Sequence, residues 1–377
     1  EIHCLGTDSG ASFTADPLNK SFIATQNNPA YPGWYHGDFH MHGFHSNSDG
    51  VKAPAIIANA REVGLDVLMY TEYVVPQHWN ELGAIQSANS DMLIYPGREI
   101  ITYFGHMNTF GETPDTIDYR HGLEDITLGD IQRRSIEAGA LVQINHPTTF
   151  EGPLFEDLCR GCAFQLSDSI DFSQVHTIEV QNGPTETTAA SLGVSGPPGA
   201  MENPFSGTAI DYWEARLLEG FKITATSGSD ARGQETKTPG RAGHGSSSTA
   251  ICANVDGSSA GTISRASVAA ALKNGCAFIK TYGTHHSPHV EMIATGPNGS
   301  EVSYGGSIPV GATETATMTL AISNAANQVL YMVQNGTETA TAVLCDRIPL
   351  PTPAVLSTDS VRCIATLSRA ASGDGPS

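Results

Sequence analysis

The chain has 377 residues, 40% of them hydrophobic, with 39 acidic against 19 basic side chains and a formal net charge of −20. That length accommodates one large α/β domain and a smaller second one. An acidic surface of this size argues against nucleic acid or anionic lipid as a bulk partner, and no run approaches the roughly 20 apolar residues that span a bilayer.

Residues 1–30 mix Gly, Asp, Asn, Pro and Ser without periodicity and read as an irregular arm. From residue 31, short apolar runs alternate with helix-like segments, the pattern of parallel βα units. Strands are predicted at 34–40, 65–70, 92–95, 140–144, 175–180 and 221–225. Helices are predicted at 54–63, with Pro54 in its first turn and Gly64 at its stop, at 128–138 ending on Gly139, and at 264–273 ending on Asn274 and Gly275. Gly, Pro and Ser crowd into 183–208 and 227–249, two insertions beside candidate site residues that read equally as lids or as surface loops. After His289 the helical period disappears. Runs at 290–294, 316–322, 329–334, 340–344 and 361–367 lie between Gly and Asn turns and predict a small β-sandwich. The expected organisation is an arm (1–30), an α/β barrel (31–286), and a β-sandwich accessory domain with a loose tail (287–377).

Seven cysteines are present. The expected pairing is Cys345 with Cys363, Cys252 with Cys276 and Cys159 with Cys162, leaving Cys4 alone, although spacing does not determine connectivity. Cys159 and Cys162 form a lone CxxC, with no second pair to make a zinc cage. The chain begins at Glu1 and carries sequons at Asn19, Asn298 and Asn335. With the cysteines, these predict a secreted or periplasmic protein.

Nearly every predicted barrel strand ends in an imidazole or a carboxylate. The first runs into Gly37-Asp38-Phe39-His40-Met41-His42, the second into Thr71-Glu72-Tyr73, and the third into Gly97-Arg98-Glu99. The fourth reaches Asn145-His146-Pro147, the fifth carries Glu179 before Asn182-Gly183, and the sixth leads to Gly228-Ser229-Asp230-Ala231-Arg232. In an α/β barrel the carboxyl ends of the strands converge on one face, so these groups meet. Alternate residues of a strand point the same way, which lets His40 and His42 bind one ion. A mixed shell of imidazole and carboxylate suits Zn, Mn or Fe and leaves positions open for water.

Together with Ser48-Asp49-Gly50, these segments resemble, in order, the motifs of the polymerase and histidinol phosphatase (PHP) superfamily over roughly residues 34–285. The run Ala271-Leu272-Lys273-Asn274-Gly275-Cys276-Ala277-Phe278 ahead of a β domain looks like the carbaryl hydrolase-type (CehA/McbA-like) branch. The resemblance implies a distorted (β/α)7 barrel and one or two divalent transition-metal ions (Zn, Mn or Fe). His40, His42, Glu99 and Asp230 would hold the first ion, and Glu99, His146 and Glu179 the second. A third family position would use Asp49 and, beside Glu72, two histidines. Tyr73 and Arg232 stand where those histidines belong, so the third ion is expected to be absent. Arg232 would then stabilise an anion, Tyr73 would donate a hydrogen bond, and His106 is the best further candidate near the mouth, ahead of His36, His45 and His78, which read first as solvated or core histidines.

Taken singly, each of these residues has a bland reading. Asp230 could cap a helix, Glu72 or Glu179 could sit in a buried ion pair, and His285, His286 and His289 could lie in a linker. Taken jointly, they predict a secreted metal-dependent hydrolase in which a metal-bound hydroxide attacks an ester, amide or phosphoester. Its substrate would be a small molecule or an oligomer, anionic ones included, with no nucleic acid and no membrane as partner. The alternatives are a metal-dependent polysaccharide lyase and a non-catalytic module that binds carbohydrate or peptide.

Overall fold

Apolar, β-branched runs punctuated by Gly and Pro form most of the strands in this chain. In a computed structural model, the described residues are 22–25, 31–43, 53–73, 78–111, 117–152, 159, 161–165, 167–183, 203–231, 243–252, 261–335, 337–338, 343–345, 348–350, 354–356 and 360–368. The strands of the first unit are β1 (Ile23–Thr25), β2 (Trp34–Met41), β3 (Val67–Tyr73), β4 (Leu93–Thr102), β5 (Gly105–Phe110), β6 (Leu141–Ile144), β7 (Thr177–Asn182), β8 (Thr224–Gly228), β9 (Ser248–Cys252), β10 (Thr262–Ser264) and β11 (Ala277–Lys280). Nine of them form one sheet in the order β11-β9-β2-β3-β4-β5-β6-β7-β8, and β1 of the arm pairs with β10 outside it.

The sheet curls until β8, at one edge, approaches β2, which lies two strands in from the other. Asp230 N–H donates to the His40 carbonyl (2.7 Å), His42 N–H donates to the Ala231 carbonyl (2.8 Å), and Met41 bridges Ala231. These bonds tie the end of β2 to the chain just beyond β8. Gly228 permits the approach, because a Cβ there would come within 2.5 Å of the His40 nitrogen.

The α/β barrel expected from the sequence is therefore present in nearly closed form, but regular (β/α)7 alternation is not. Strand β5 returns antiparallel to β4 through a tight turn, with no helix between them, and β9 runs antiparallel to both β2 and β11. Helices α1 (Ala53–Glu62), α2 (Trp79–Ala88), α3 (Leu128–Glu137), α4 (Ser206–Leu218) and α5 (Arg265–Asn274) accompany the sheet. In α3 the buried residues Leu128, Ile131, Gln132 and Ser135 fall at the spacing of one helical face, and Thr127 with Asp130 forms a capping box at its start. In α5 the predicted first residue, Ser264, is the N-cap, and Gly275 ends the helix in the left-handed region at φ 78°.

Beyond the barrel, the strands Glu301–Val302, His289–Thr295, Thr315–Ser323, Ser360–Ser368, Val343–Cys345 and Ile348–Leu350 form one antiparallel sheet in that spatial order. The sequence reading expected a sandwich. Among the described residues this single sheet is accompanied by two two-stranded ribbons, and Met332 and Leu356 share a core with Leu320, Ile322, Val361 and Ala365 of the sheet.

The seam between the units is aromatic. His289 stacks on Tyr31 with ring centroids 4.0 Å apart, and Trp34 and Phe278 pack edge-on against it. Lys280 is fully buried with its Nζ 4.7 Å from the Tyr31 ring, and burial pushes its ammonium down to about 8. His36 belongs to this end, where its N–H donates to Asp66 Oδ2 (2.9 Å). His36 is thus a core histidine, the first of the two readings open to it, and about 20 Å of strand separates it from His42. His289 is likewise a core residue of the seam, not part of a bare linker.

Disulfides join Cys159 to Cys162 and Cys252 to Cys276, as expected. Cys363 is disulfide-bonded and faces Cys345 across the antiparallel register, while Cys4 lies outside the described residues. Among the described residues no helix is long and apolar enough to cross a membrane.

Candidate metal centre

Three strands, and the segments that follow two others, bring the candidate ligands together. His40 comes from β2 and His42 from the residue just past its end, Glu99 from β4, Glu179 from β7, His146 from just after β6, and Asp230 from just after β8. One ligand atom each of His40, His42, Glu99 and Asp230 lies within 4.8 Å of all the others, and the same holds for His40, His146 and Glu179. His42 Nε2 is 3.0 Å from Asp230 Oδ1 and 3.3 Å from Glu99 Oε2. His40 Nε2 is 3.4 Å from Glu99 Oε1 and 3.6 Å from Asp230 Oδ1, while its Nδ1 lies 3.1 Å from Glu179 Oε2. Glu99 was expected in the second set; its Oε1 reaches to 3.6 Å from His146 Nε2, and His40 is the residue the two sets share.

The backbone bends to present two of these groups. His146 and Asp230 hold φ at 28° and 50°, a left-handed region that costs a non-glycine residue on the order of 1 kcal/mol and clusters at functional sites.

The residues present fit a divalent ion by three criteria. The donor set mixes imidazole nitrogen with carboxylate oxygen. His40 Nε2 is buried and has no hydrogen-bond partner, although it faces two carboxylates. His146 Nδ1–H donates to the Cys162 carbonyl (3.1 Å), which leaves Nε2 as the lone-pair nitrogen turned toward Glu99. That is the usual outer bond of a metal-binding imidazole.

Charge in the cluster is strongly coupled. Burial alone would lower the His40 imidazole, but Glu179, Asp230 and Glu99 together carry it well above its ordinary 6.5. Burial alone would raise Glu99 above its ordinary 4.5, yet His40, His106 and His146 hold it well below. Protonated His40 thus stabilises the metal-free fold in full below pH 6.5, and that contribution is lost as pH rises through the elevated value. Ionised Glu99 stabilises in full above pH 4.5, and its contribution is lost as pH falls through the depressed value. Urea unfolding of the metal-free protein across pH is expected to show the largest contribution from this cluster between 4.5 and 6.5. Divalent metal should invert the alkaline limb, because it binds deprotonated imidazole. A metal-free stability that keeps climbing well above pH 6.5 would contradict this account.

A second layer of buried polar groups sets the ligands. Asp38 is fully buried and accepts from Ser229 N–H (2.9 Å), Ser229 Oγ–H (2.5 Å), Gly245 N–H (2.8 Å) and His40 N–H (3.3 Å). Burial nevertheless pushes its carboxyl up to about 6. Asn182 Nδ2 donates to Glu179 Oε2 (3.2 Å) and Asp230 Oδ2 (3.4 Å), and His146 N–H donates to Glu179 Oε2 (3.0 Å). Asn145 bonds Asn108 Oδ1 (2.8 Å) and reaches Glu99 Oε1 (3.4 Å), and His244 Nε2–H donates to the His42 carbonyl (2.9 Å). The sequence by itself gives Asp38, Asn145, Asn182 and His244 no role. Asp38 was accessible to sequence reasoning, standing two residues before His40 on the same strand side, whereas nothing local marks His244.

Of the other candidates, His106 Nδ1 lies 3.2 Å from Glu99 Oε1, and the Tyr73 ring lies 4.4 Å from that of His42. Glu72 is buried on β3, but its carboxylate is in none of the ligand groups found among the described residues. His78 bonds the Gly97 carbonyl (3.1 Å). Arg232, Asp49 and His45 lie outside the described residues.

No protein-family model matches the chain, and no curated protein matches it. Solved structures align with parts of it at low identity. A lesion-specific endonuclease from Pyrococcus furiosus aligns at 16% identity and a TM-score of 0.41, over 66% of this chain and 58% of its own, so this chain spans little more than half of that protein. A putative metal-dependent phosphoesterase from Bifidobacterium adolescentis aligns at 12% identity and a TM-score of 0.34, over 55% of this chain and 92% of its own. An amidohydrolase from Chromobacterium violaceum, with bound sulfate and no metal, aligns at 13% identity and a TM-score of 0.34, over 55% and 90%.

Proposed function

We propose that this chain is a metal-dependent hydrolase of the PHP type, in its carbaryl hydrolase-type branch, acting on an ester, amide or phosphoester. The observation that carries this reading is the meeting of His40, His42, Glu99 and Asp230, drawn from three separate stretches of chain, with their ligand atoms inside 4.8 Å of one another. His40, His42, Glu99 and Asp230 would hold one divalent ion, and His146 and Glu179, with His40 or Glu99, a second. When bound, such an ion polarises the scissile group and lowers the pKa of water toward neutrality.

The chain's own groups do the rest. Asn182 and the His146 N–H hold Glu179, Asn145 braces Glu99, and Asp38 locks Ser229 one residue before Asp230. Ligands held this way are organised before substrate arrives, so little reorganisation accompanies charge development. His106 against Glu99 and Tyr73 beside His42 are positioned to move a proton to a leaving group or hydrogen-bond the reacting one. Arg232, two residues beyond Asp230, would supply a fixed cation for an anionic substrate. The bridges Cys159–Cys162 and Cys252–Cys276 support export to an oxidising compartment.

The test is product analysis in heavy-oxygen water, with Zn-, Mn- or Fe-loaded protein acting on paired aryl phosphate, aryl carboxylate and aryl carbamate esters. The label is expected in the product of one class. Inactivity on all three, or product formed without label, would overturn the reading.

A further inference from the structure

A third group of ligand atoms lies beside the first two: one ring nitrogen each of His106 and His146, and Sγ of Cys162, all within 4.8 Å of one another. In the structure that sulfur is bridged to Cys159 and is not a thiolate. We propose that reduction of the Cys159–Cys162 bridge opens a further metal site, His106–His146–Cys162, for a borderline-soft divalent ion of the zinc class. Imidazole with thiolate is the donor set such ions favour, and three protein ligands leave a position for water.

The main argument is that the bridge is not what places Cys162. Phe164 N–H donates to the Pro147 carbonyl (2.7 Å) and Gln165 N–H to the Phe104 carbonyl (2.6 Å), which pins the segment between the β4–β5 turn and the loop that carries His146. Gly161, at φ 81°, lies so close to the Thr102 carbonyl that no side chain fits there. The Cys162 carbonyl itself accepts from His146 Nδ1–H. Opening the bridge therefore frees the sulfur without freeing the backbone that holds it.

The chemistry balances with a thiol or phosphine reductant. Two electrons and two protons convert the disulfide to Cys159–SH and Cys162–SH, and the Cys162 proton passes to solvent as the ion binds. His146 belongs to both this site and the proposed hydrolytic centre, so an ion here would draw it away from Glu179. That consequence rests on the hydrolase reading, but the site does not.

Cobalt(II) titration tests the site, since thiolate ligation gives a charge-transfer band that oxygen and imidazole ligands do not. Wild-type protein reduced with a phosphine is expected to bind one more cobalt ion per chain than the oxidised protein and to show the band. Cys159→Ser should show it without reductant, and Cys162→Ser should lack it in either state while keeping the other bridges. No band in both reduced wild type and Cys159→Ser overturns the proposal, as does a band of undiminished strength in Cys162→Ser. Hydrolysis is read separately: because His146 is shared, activity is expected to fall as the band forms, and a band with activity unchanged would count against the role of His146 in the hydrolase reading while leaving the site standing.

Discussion

A His40→Ala substitution is expected to abolish stoichiometric metal binding and to lower metal-dependent turnover by at least about 10³-fold, or about 4 kcal/mol of barrier. His40 is the residue common to both ligand sets, with Nε2 facing Glu99 and Asp230 and Nδ1 facing Glu179. Its loss removes a donor and also the counter-charge of three carboxylates, two of them almost fully buried. The metal-free variant is therefore expected to lose about 3 kcal/mol in denaturant unfolding, the scale for a buried charge stripped of its partner. His40→Gln separates the two effects, since an amide can still donate to Glu179 but cannot replace an imidazole donor to the ion. It should recover part of the stability and none of the metal content measured by elemental analysis. A His40→Ala protein that retains full metal and turnover would remove these ligand assignments.

The second large effect falls on a residue outside the ligand sets. Asp38→Ala leaves the buried Ser229 N–H, Ser229 hydroxyl and Gly245 N–H without their acceptor. Each orphaned donor costs about 1–3 kcal/mol, and removing a carboxylate whose pKa burial has raised returns part of that. A net loss of about 3 kcal/mol is expected. Metal affinity should fall with it, because Ser229 immediately precedes Asp230, whose left-handed backbone the Asp38 bonds help to hold. Asp38→Asn keeps one acceptor oxygen and should fall between. A change below about 0.5 kcal/mol, the range of an ordinary surface substitution, would show that Asp38 does not brace the site.

Where the sequence was legible, the signal was local. The strand from Trp34 and the helices capped at Thr127 and Ser264 follow from patterns a few residues long, and their boundaries agree with the sequence reading to within about one residue. The misses share a cause. Pro96 and Gly97 read as the end of a strand, yet β4 runs on to Thr102 because β3 and β5 pair with it on both sides. Strand β5, with Gly105, His106 and Asn108, has little propensity of its own and is held between β4 and β6. Helix α4 begins at Ser206, inside a stretch that reads as loop, and is held by packing of Ala209 into the core. Pairing and burial overrode propensity in each case.

The same division runs through the candidate site. The order and spacing of its motifs determined which residues were candidates, because strand alternation, which puts His40 and His42 on one side, depends only on the local period of the chain. Which of them meet was decided by the closure of the sheet, where β8 returns against β2 and brings Glu179 to His40 across 139 residues. Asp38, Asn182 and His244 acquire their roles from that same closure. A hydrogen bond depends on a few ångströms of separation, and no periodicity in the sequence encodes a distance across the barrel.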